Sequence, residues 1–355
     1  MPAGETPKIL ITRLSHIGDC ILTLPLVSAI RRVYPRAFIS WAVESPSQQL
    51  LGLHPGIDQL ILIPRGWAKK PSCWPELVHQ LRKPTFEIVI DPQGITKSAA
   101  LGRLSGARRR IGIRGRWGRE LSPYLNNQLV TTKSSHLVDR TLELLAALGE
   151  QGAVTGSRVE FGLPVCPISQ AKIENFLSGQ RLGDRFVVIN PGASWASKRW
   201  ETDRFAAVAS HLFRQHAIQS VVTWAGAEEQ GMAQQIHALA PAATVVADQT
   251  SLRDLAALCH TAKFFLGCDT GPLHIATAMG APCVGLYGTT RPEESGAYGP
   301  QHIAVQKWYQ SGTCRARRSA GNQAMLDIQV ADVNAAVEQM IARLDSVPIS
   351  HRRAS

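Results

Sequence analysis

The segment Gly267–His274 combines residue types that can hold a phosphate. It follows an apolar run and reads Gly-Cys-Asp-Thr-Gly-Pro-Leu-His, which predicts a strand, a glycine-containing turn and the start of a helix. A helix N-terminus offers unpaired N–H groups and partial positive charge to an anion. Thr270 and Gly271 would supply such groups, His274 lies in the first turn, and Asp269 is either a ligand contact or the helix cap. The alternative is a plain capped helix that binds nothing.

Two other loops of the same half carry groups suited to a nucleotide. Ala193–Trp200 follows an apolar run and contains Ser194 and Lys198, a hydroxyl and a cation that suit a diphosphate and its departure. Glu229 follows another apolar run, where a carboxylate can hold ribose hydroxyls, and Glu228 is the fallback. Each has an ordinary alternative, namely an exposed lysine or a solvated acid at a helix start.

The first half of the chain contains a different kind of loop. Ser15–Asp19 follows the apolar run Lys8–Thr12, is poor in glycine and ends in a carboxylate. It is therefore a poor phosphate cradle, but Asp19 can accept a proton from a substrate hydroxyl. Taken alone, Asp19 is better explained as the N-cap of a helix that begins at Ile21 and has Pro25 in its first turn.

Basic residues are dense in the first half. Arg103–Arg119 contains seven arginines, no acid and several glycines, which predicts a flexible basic surface that meets phosphates or carboxylates. A solvated face is the alternative. No helix-turn-helix, RNA-binding signature or row of aromatic residues accompanies the arginines, so nucleic acid is the weaker interpretation of the partner. The candidates for contact with an anionic substrate are Arg65, Lys69, Lys70, Gln93, Lys97 and Arg119.

The composition supports an ordered chain with an anionic partner. The 355 residues suffice for two domains, and 45% hydrophobic against 18% charged residues argues against global disorder. Residues 1–178 hold 22 basic and 13 acidic residues, which accounts for most of the net charge of +11. Seven cysteines without a CxxC pair indicate a reduced, cytosolic chain without disulfides or a structural zinc site. We expect neither a signal peptide nor a membrane-spanning segment.

Alternating strand and helix patterns must position these loops. Apolar runs such as Phe38–Val43 and Phe186–Asn190 predict buried parallel strands, and stretches such as Leu137–Leu148 and Thr202–Arg214 predict the helices between them. The pattern occurs twice, so we predict an α/β chain of two Rossmann-like domains. The predicted divisions are residues 1–178, residues 179–330, and a last helix with a polar tail over residues 331–355.

Taken together, the motifs resemble glycosyltransferase family 9, the ADP-heptose:lipopolysaccharide heptosyltransferases. They are SHIGDCILTLP, DPQGITKSAAL, NPGASWASKRW, WAGAEE and GCDTGPLHIATAMGAPCVGLYG, and the second is most similar to the heptosyltransferase I branch. The resemblance implies a GT-B fold, in which two Rossmann-like domains face each other across a cleft and the last helix packs back on the N-terminal domain. It also implies that the N-terminal domain binds the acceptor and the C-terminal domain binds the donor.

The resemblance assigns a role to each candidate by position. Asp19 matches the catalytic aspartate, and Lys198 matches the lysine that neutralises the diphosphate. Glu229 matches the ribose-binding acid, although Trp224-Ala225-Gly226 departs from the usual glycine pattern before it. The remaining donor-binding matches are Ser194, Asp269, Thr270, Gly271 and His274.

The resemblance further implies the substrates and the setting. The donor is ADP-heptose, the acceptor is an anionic Kdo–lipid A molecule, and the inverting transfer needs neither a metal nor another cofactor. We expect a monomeric cytoplasmic protein whose basic first half contacts the inner membrane peripherally. The alternatives are heptosyltransferase II, another nucleotide-sugar transferase of this fold, or a non-catalytic nucleotide- or glycan-binding protein.

Overall fold

The chain folds into two α/β units, each built on one six-stranded parallel sheet. The computed structural model describes residues 6–149, 159–182 and 185–346, and the units are Met1–Pro164 and Val165–Ser355. The division falls earlier than the predicted boundary after residue 178, because the helix Pro167–Gly179 packs against the helix Leu252–Thr261 of the second unit. Two Rossmann-like sheets of this kind confirm the predicted fold class. The polar tail over residues 351–355 lies outside the described residues.

The first unit alternates strands and helices along the chain. Its strands are β1 (Lys8–Thr12), β2 (Phe38–Val43), β3 (Gln59–Leu62), β4 (Ile88–Ile90), β5 (Arg109–Arg114) and β6 (Gln128–Thr131). Its helices are α1 (Ile17–Val33), α2 (Gln48–Leu51), α3 (Trp74–Arg82), α4 (Thr96–Leu104), α5 (Ser122–Leu125) and α6 (Leu137–Glu143), which continues as a 3-10 turn to Leu148. The order in the sheet is β3-β2-β1-β4-β5-β6.

The strand β1 forms the centre of the first sheet because its apolar side chains are buried on both faces. Ile9 and Ile11 are fully buried, and Ile11 pairs in parallel register with Trp41 of β2 and Ile90 of β4. A continuous apolar run is typical of such a doubly covered strand. The strands predicted over Lys8–Thr12 and Phe38–Val43 are confirmed with the same bounds.

The prediction of a flexible surface over Arg103–Arg119 is wrong. Six of these residues form β5, in which Ile111 and Ile113 are buried, while Arg114 is exposed at the strand end. Gly112 lies between these two isoleucines. A Cβ at Gly112 would lie 2.3 Å from the side-chain nitrogen, Nδ2, of Asn126. The density of arginine hid this alternation, since charge dominates the composition while the strand depends only on its alternate positions.

Helix α1 begins at Ile17 rather than at the predicted Ile21. Pro25 therefore lies inside the helix and not in its first turn, and the buried apolar face around it holds the helix together although proline donates no N–H. The N-cap is His16, and Asp19 lies within the first turn. Asp19 is consequently not the helix cap, which removes the simplest alternative explanation of its carboxylate.

The second unit repeats the architecture. Its strands are β7 (Phe186–Asn190), β8 (Gln219–Val222), β9 (Thr244–Val246), β10 (Phe264–Cys268), β11 (Cys283–Leu286) and β12 (Ile303–Val305), in the order β12-β11-β10-β7-β8-β9. Its helices are α7 (Pro167–Gly179), α8 (Thr202–His216), α9 (Gly226–Leu239), α10 (Leu252–Thr261), α11 (Gly271–Ala278), α12 (Pro292–Ser295), α13 (Cys314–Ser319), α14 (Gln323–Leu326) and α15 (Val330–Ser346). Helix α10 begins with a capping box, which Ser251 and Asp254 form.

The last helix, α15, contributes to the core of the second unit. Its side chains Val333, Val337 and Met340 are buried in the same apolar cluster as Phe205 of α8 and Leu286 of β11. The apolar face of α15 is thus used within the unit to which it belongs. A contact of this helix with the N-terminal domain stays a prediction.

Each sheet brings its own candidate residues to one edge, where its strands have their carboxyl ends. In a parallel sheet all strands end on the same side, and the loops after their carboxyl ends meet there. In the first unit these loops follow β1, β3, β4 and β5; in the second they follow β7, β8, β10 and β11. Each candidate identified from the sequence lies in one of these loops or in the helix turn directly after it.

Candidate active site

The edge of the second sheet holds an ion pair between two of the predicted donor-binding residues. Lys198 follows β7 and Asp269 follows β10, which is the neighbouring strand. The Nζ of Lys198 lies 2.7 Å from Oδ2 of Asp269 and donates a second hydrogen bond, 3.0 Å long, to the carbonyl oxygen of that residue. An ammonium group has three donors, so the third remains available to a ligand. The structure therefore brings these two candidates together.

Asp269 is buried and its carboxylate is fully engaged. Its Oδ2 also accepts a 2.6 Å hydrogen bond from the hydroxyl of Thr290, and its Oδ1 lies 3.3 Å from Nε2 of His274. Burial alone raises the pKa of Asp269, but the charge of Lys198 and the hydrogen bond from His274 outweigh that effect and hold the pKa well below its ordinary value. A carboxylate with these neighbours positions Lys198 rather than contacting a ligand itself.

The helix start after Asp269 is not capped by a side chain. Thr270 is the N-cap of α11, and its hydroxyl donates to the carbonyl oxygen of Cys268 at 3.3 Å instead of accepting from the first turn. Pro272 occupies the next position but one and carries no N–H. No side-chain hydrogen bond thus caps α11 at Thr270, which leaves the N–H groups of its first turn without a side-chain partner. Anion binding at this helix start stays a prediction.

Glu229 and Glu228 have different surroundings. Glu228 is exposed and pairs with Arg199, whose Nη2 lies 2.9 Å from Oε2 of the glutamate. Glu229 instead accepts the N–H of Ala225 at 2.8 Å and packs against Gly192, where an added Cβ would lie 2.2 Å from its carboxyl carbon. Burial raises the pKa of Glu229. The structure thus favours Glu229, the primary candidate, as the carboxylate that belongs to the site.

Ser194 lies two residues after Gly192 on the loop that follows β7. It is exposed, and its hydroxyl has no hydrogen-bond partner within the described ranges, whereas the preceding Ala193 is buried. The hydroxyl of Ser197 is not free, because it donates to the carbonyl oxygen of Arg317 at 2.7 Å. Ser194 is therefore the hydroxyl of this loop that a ligand can reach.

The first sheet carries a second ion pair at its edge. Nη2 of Arg13 lies 2.6 Å from Oδ2 of Asp19, and Nη1 of Arg13 donates to the carbonyl oxygen of Pro92 at 3.2 Å. The arginine is buried, while 36% of the Asp19 side chain is exposed. Among the residues that the structure describes, Oδ1 of Asp19 has no partner. One oxygen is fixed and the other is open, which suits a group that accepts a proton from a substrate.

The predicted acceptor-binding residues divide into two groups. Gln93 supports the Asp19 loop, because its Oε1 accepts the N–H of Leu14 at 2.8 Å and its Nε2 reaches the carbonyl oxygen of Ser15 at 3.5 Å. Arg65 donates to the carbonyl oxygen of Ser45 at 3.1 Å. Five of the predicted residues are exposed cations of the same sheet edge: Arg65, Lys69, Lys70, Lys97 and Arg119. These five remain candidates for an anionic acceptor, whereas Gln93 is engaged in the loop.

The loops after β4 and β5 are joined to each other. The N–H of Arg119 donates to the carbonyl oxygen of Gly94 at 2.8 Å, and a Cβ at Gly94, which has φ +62°, would lie 2.4 Å from the carbonyl oxygen of Trp117. Below them Asp91 is buried and accepts bonds from Ser122 and from the N–H of Gly94. Burial raises the pKa of Asp91. This buried acid holds in place the loops that carry Lys97 and Arg119.

Part of the arginine-rich segment serves the fold rather than a ligand. Arg109 donates to the carbonyl oxygen of Ala147 at 2.7 Å, and Arg110 donates to that of Leu125 at 3.0 Å. Arg116 lies over the ring of Trp117, with 4.4 Å to its centroid. The basic surface expected from this segment is therefore smaller than the count of arginines predicts.

Two site residues were missed by the sequence analysis. Thr290 follows β11, the neighbour of β10, and its hydroxyl donates to Asp269. The pair Thr289-Thr290, separated by Gly288 from the apolar run that ends at Tyr287, was a signal of the same kind as the others. Arg13, the partner of Asp19, gave a weaker signal, because only its position directly after the run Lys8–Thr12 is visible in the sequence and its burial is not.

Neither a metal cluster nor a membrane span occurs in the described ranges. No group of three or more His, Cys, Asp or Glu side chains converges there as a metal site would require. No helix of that part of the chain is long and apolar enough to cross a bilayer.

Comparison with known proteins links these features to one family. The model of glycosyltransferase family 9 (heptosyltransferase) matches residues 74–324. Lipopolysaccharide heptosyltransferase 1 of Pseudomonas aeruginosa is 25% identical over 316 residues, which is 86% of either chain. Lipopolysaccharide heptosyltransferase 3 of Escherichia coli is 26% identical over 343 residues, covering 91% of this chain and 96% of that protein. The E. coli heptosyltransferase WaaC with ADP has a similar fold, with a TM-score of 0.74, 23% identity, and coverage of 96% of this chain and 100% of that one.

Proposed function

Because the chain belongs to glycosyltransferase family 9, the heptosyltransferase family, and is therefore a glycosyltransferase, we propose that it transfers heptose from ADP-heptose to the Kdo region of the lipopolysaccharide inner core. The observation that carries this proposal is the Lys198–Asp269 pair at the start of α11, a preorganised cation beside a helix N-terminus. The names of the relatives, which are lipopolysaccharide heptosyltransferases, support the sugar and the acceptor class.

The donor binds at the edge of the second sheet. Its diphosphate lies against Lys198, the hydroxyl of Ser194 and the backbone around Thr270 and Gly271. Glu229 accepts hydrogen bonds from the ribose hydroxyls, as a carboxylate at this place in a Rossmann-like unit commonly does. Asp269 orients Lys198 and is held in turn by His274 and Thr290. These assignments agree with the surroundings of each side chain.

The acceptor binds at the edge of the first sheet, where Asp19 is the general base. Oδ1 of Asp19 takes the proton of the acceptor hydroxyl as that oxygen forms a bond to the anomeric carbon of the heptose. The bond from the anomeric carbon to the diphosphate oxygen breaks on the opposite face, and ADP leaves with the bonding pair. Lys198 and the N-terminus of α11 stabilise the negative charge that develops on the diphosphate. Inversion at the anomeric carbon follows from attack opposite the leaving group.

The exposed cations of the first edge bind the anionic acceptor. Carboxylates and phosphates of a Kdo–lipid A molecule meet the five side chains Arg65, Lys69, Lys70, Lys97 and Arg119. The same charges draw a cytoplasmic, monomeric protein to the anionic inner leaflet. Such peripheral contact predicts that salt alone washes the protein off membranes, and a requirement for detergent would contradict it.

A donor screen tests the proposal. Thermal unfolding is measured with ADP-heptose, ADP-glucose, UDP-glucose and GDP-mannose, and the proposal expects the largest stabilisation with ADP-heptose. Transfer is then assayed on Kdo-terminated and heptose-terminated acceptors, with and without EDTA. Activity that prefers the heptose-terminated acceptor would assign the chain to a later transfer, such as that of heptosyltransferase II or 3. Stabilisation by ADP-heptose without transfer would indicate a binding protein, and an absolute need for Mg²⁺ would contradict the metal-independent mechanism.

A further inference from the structure

One segment outside the sequence motifs packs against the proposed donor-binding loops after β7 and β11. Lys307–Ser319 (KWYQSGTCRARRS) follows β12 and ends in the short helix α13. Its Arg317 is joined to two of these loops, since Nη1 donates to the carbonyl oxygen of Thr289 at 2.6 Å and its carbonyl oxygen accepts the hydroxyl of Ser197 at 2.7 Å. The segment is therefore fixed beside both Lys198 and Thr290.

Trp195 brings two cations of different origin together. The Nζ of Lys198 lies 4.9 Å from the centroid of its ring, and the guanidinium carbon of Arg318 lies 5.1 Å from the same centroid. Cations at this distance are attracted by the ring. The indole of Trp195 thus contacts both Arg318 and the ammonium group that the proposed mechanism assigns to the diphosphate.

The two cations differ in how their charge is balanced. Asp269 is the partner of Lys198, whereas in the described part of the chain Arg318 has no carboxylate partner. Arg318 is also exposed, so its guanidinium donors are open to a ligand. An uncompensated guanidinium that shares an aromatic ring with a lysine is suited to a phosphate group, which it can bind through two parallel hydrogen bonds.

We infer that Arg318 is a second cationic contact for the donor diphosphate, held in position by Trp195. The inference rests on the proposed function, because it takes the nucleotide sugar as the ligand of the second unit. Arg317 anchors the segment and keeps Arg318 in place. The segment Lys307–Ser319 is in this way part of the donor site and not a surface insertion.

The test compares binding of ADP and adenosine to the full-length chain by isothermal titration calorimetry. Arg318→Gln removes the charge, and Arg315→Gln is the matched control, since Arg315 lies on the same short helix, is exposed and has no contact with Trp195. We expect Arg318→Gln to weaken ADP binding about fivefold, the upper range for an exposed ion pair, and to leave adenosine binding unchanged. Arg315→Gln is expected to change neither by more than about twofold.

A double-mutant cycle tests the role of the indole. In a Trp195→Leu background Arg318→Gln is expected to lose most of its effect on ADP, because the guanidinium is no longer held by the indole ring. Equal loss of ADP and adenosine binding, or an effect of Arg315→Gln as large as that of Arg318→Gln, would overturn the inference. So would an Arg318→Gln protein that binds ADP like the wild type. A wild-type chain that binds neither ligand would instead count against the proposed function, which keeps the two failures distinct.

Discussion

The two sheet edges carry ion pairs of nearly equal length but opposite exposure. In the first unit Arg13 and Asp19 are 2.6 Å apart, with 7% of the arginine and 36% of the aspartate side chain exposed. In the second unit Lys198 and Asp269 are 2.7 Å apart, with 14% of the lysine and 5% of the aspartate exposed. The more accessible member is a carboxylate at one edge and an ammonium group at the other. An ion pair at such an edge can thus offer a ligand either a proton acceptor or an anion-binding cation, depending on which member is buried.

The largest expected effect comes from removing the accessible carboxylate. Asp19→Asn keeps an oxygen for Arg13 but loses the proton acceptor, so kcat is expected to fall about 10²- to 10⁴-fold. Steady-state kinetics at saturating donor and acceptor measure this, and the Kd for ADP, determined in parallel, is expected to stay within about twofold, because Asp19 belongs to the other unit. Wild-type turnover in this variant would show that the exposed member of the first pair is not the base.

Removal of the accessible cation is expected to lower kcat about 10²-fold, as the loss of one preorganised charge typically does. Lys198→Met also leaves the buried Asp269 without its counter-charge, which costs about 3–5 kcal/mol in the free energy of unfolding. Denaturant titration of Lys198→Met and of Lys198→Met with Asp269→Asn separates the two effects. The double variant should regain much of the stability and none of the activity; if it regained the activity, Lys198 would not be the group that stabilises the leaving diphosphate.

A smaller effect on kinetics is expected from Glu228 and Glu229. Both lie in the first turn of α9, where Glu229 is partly buried and Glu228 is exposed. Glu229→Gln should raise the donor KM about tenfold, since it weakens charge-assisted hydrogen bonds to the ribose. Glu228→Gln is the matched control and should change the KM by less than about twofold, because Glu228 pairs with Arg199 at the surface. The reverse order of effects would exchange the roles of the two residues.

The smallest expected effect is the pH dependence of stability that Asp269 contributes. Its folded-state pKa is lower than its ordinary value, so the unfolded chain binds this proton first as the pH falls below about 4. The contribution of the pair is therefore complete above that pH and is lost as the pH falls towards the folded-state pKa, at up to about 1.4 kcal/mol per pH unit. Unfolding of the wild type and of Asp269→Asn is compared between pH 5 and 3. The wild type should lose stability more steeply, and parallel curves would mean that the pKa of Asp269 is not lowered in the folded state.

The sequence predicted most of the strands and the edge on which the candidates lie, because continuous apolar runs and strand-end loops are local signals. It did not predict that Asp269 is enclosed, since Lys198 and Thr290 reach it from distant parts of the chain and only the order of the strands makes them neighbours. The prediction of a flexible surface in place of β5 was wrong for the opposite reason. There the local signal was present, in Ile111 and Ile113, but was masked by charged neighbours.

The residues at the two sheet edges could be located from the sequence, but the role of each residue there could not. Strand-end position identified both Asp19 and Asp269 as candidates. Which of the two is open to a substrate depends on the packing around each carboxylate, and exposure of this kind is a property of the folded chain. The same applies to Gln93, whose amide looked available for a ligand and is engaged with Leu14.

The contact between Gly192 and Glu229 restricts how this protein can change over evolutionary time. Any side chain at residue 192 would start 2.2–2.5 Å from the carboxyl group of Glu229 and displace it. Substitution of the glycine thus moves the carboxyl end of the Glu229 side chain out of its present place, whereas residue 229 can shrink first without a clash. The two positions form an ordered, epistatic pair, and a library that varies nucleotide preference should randomise them together rather than one at a time.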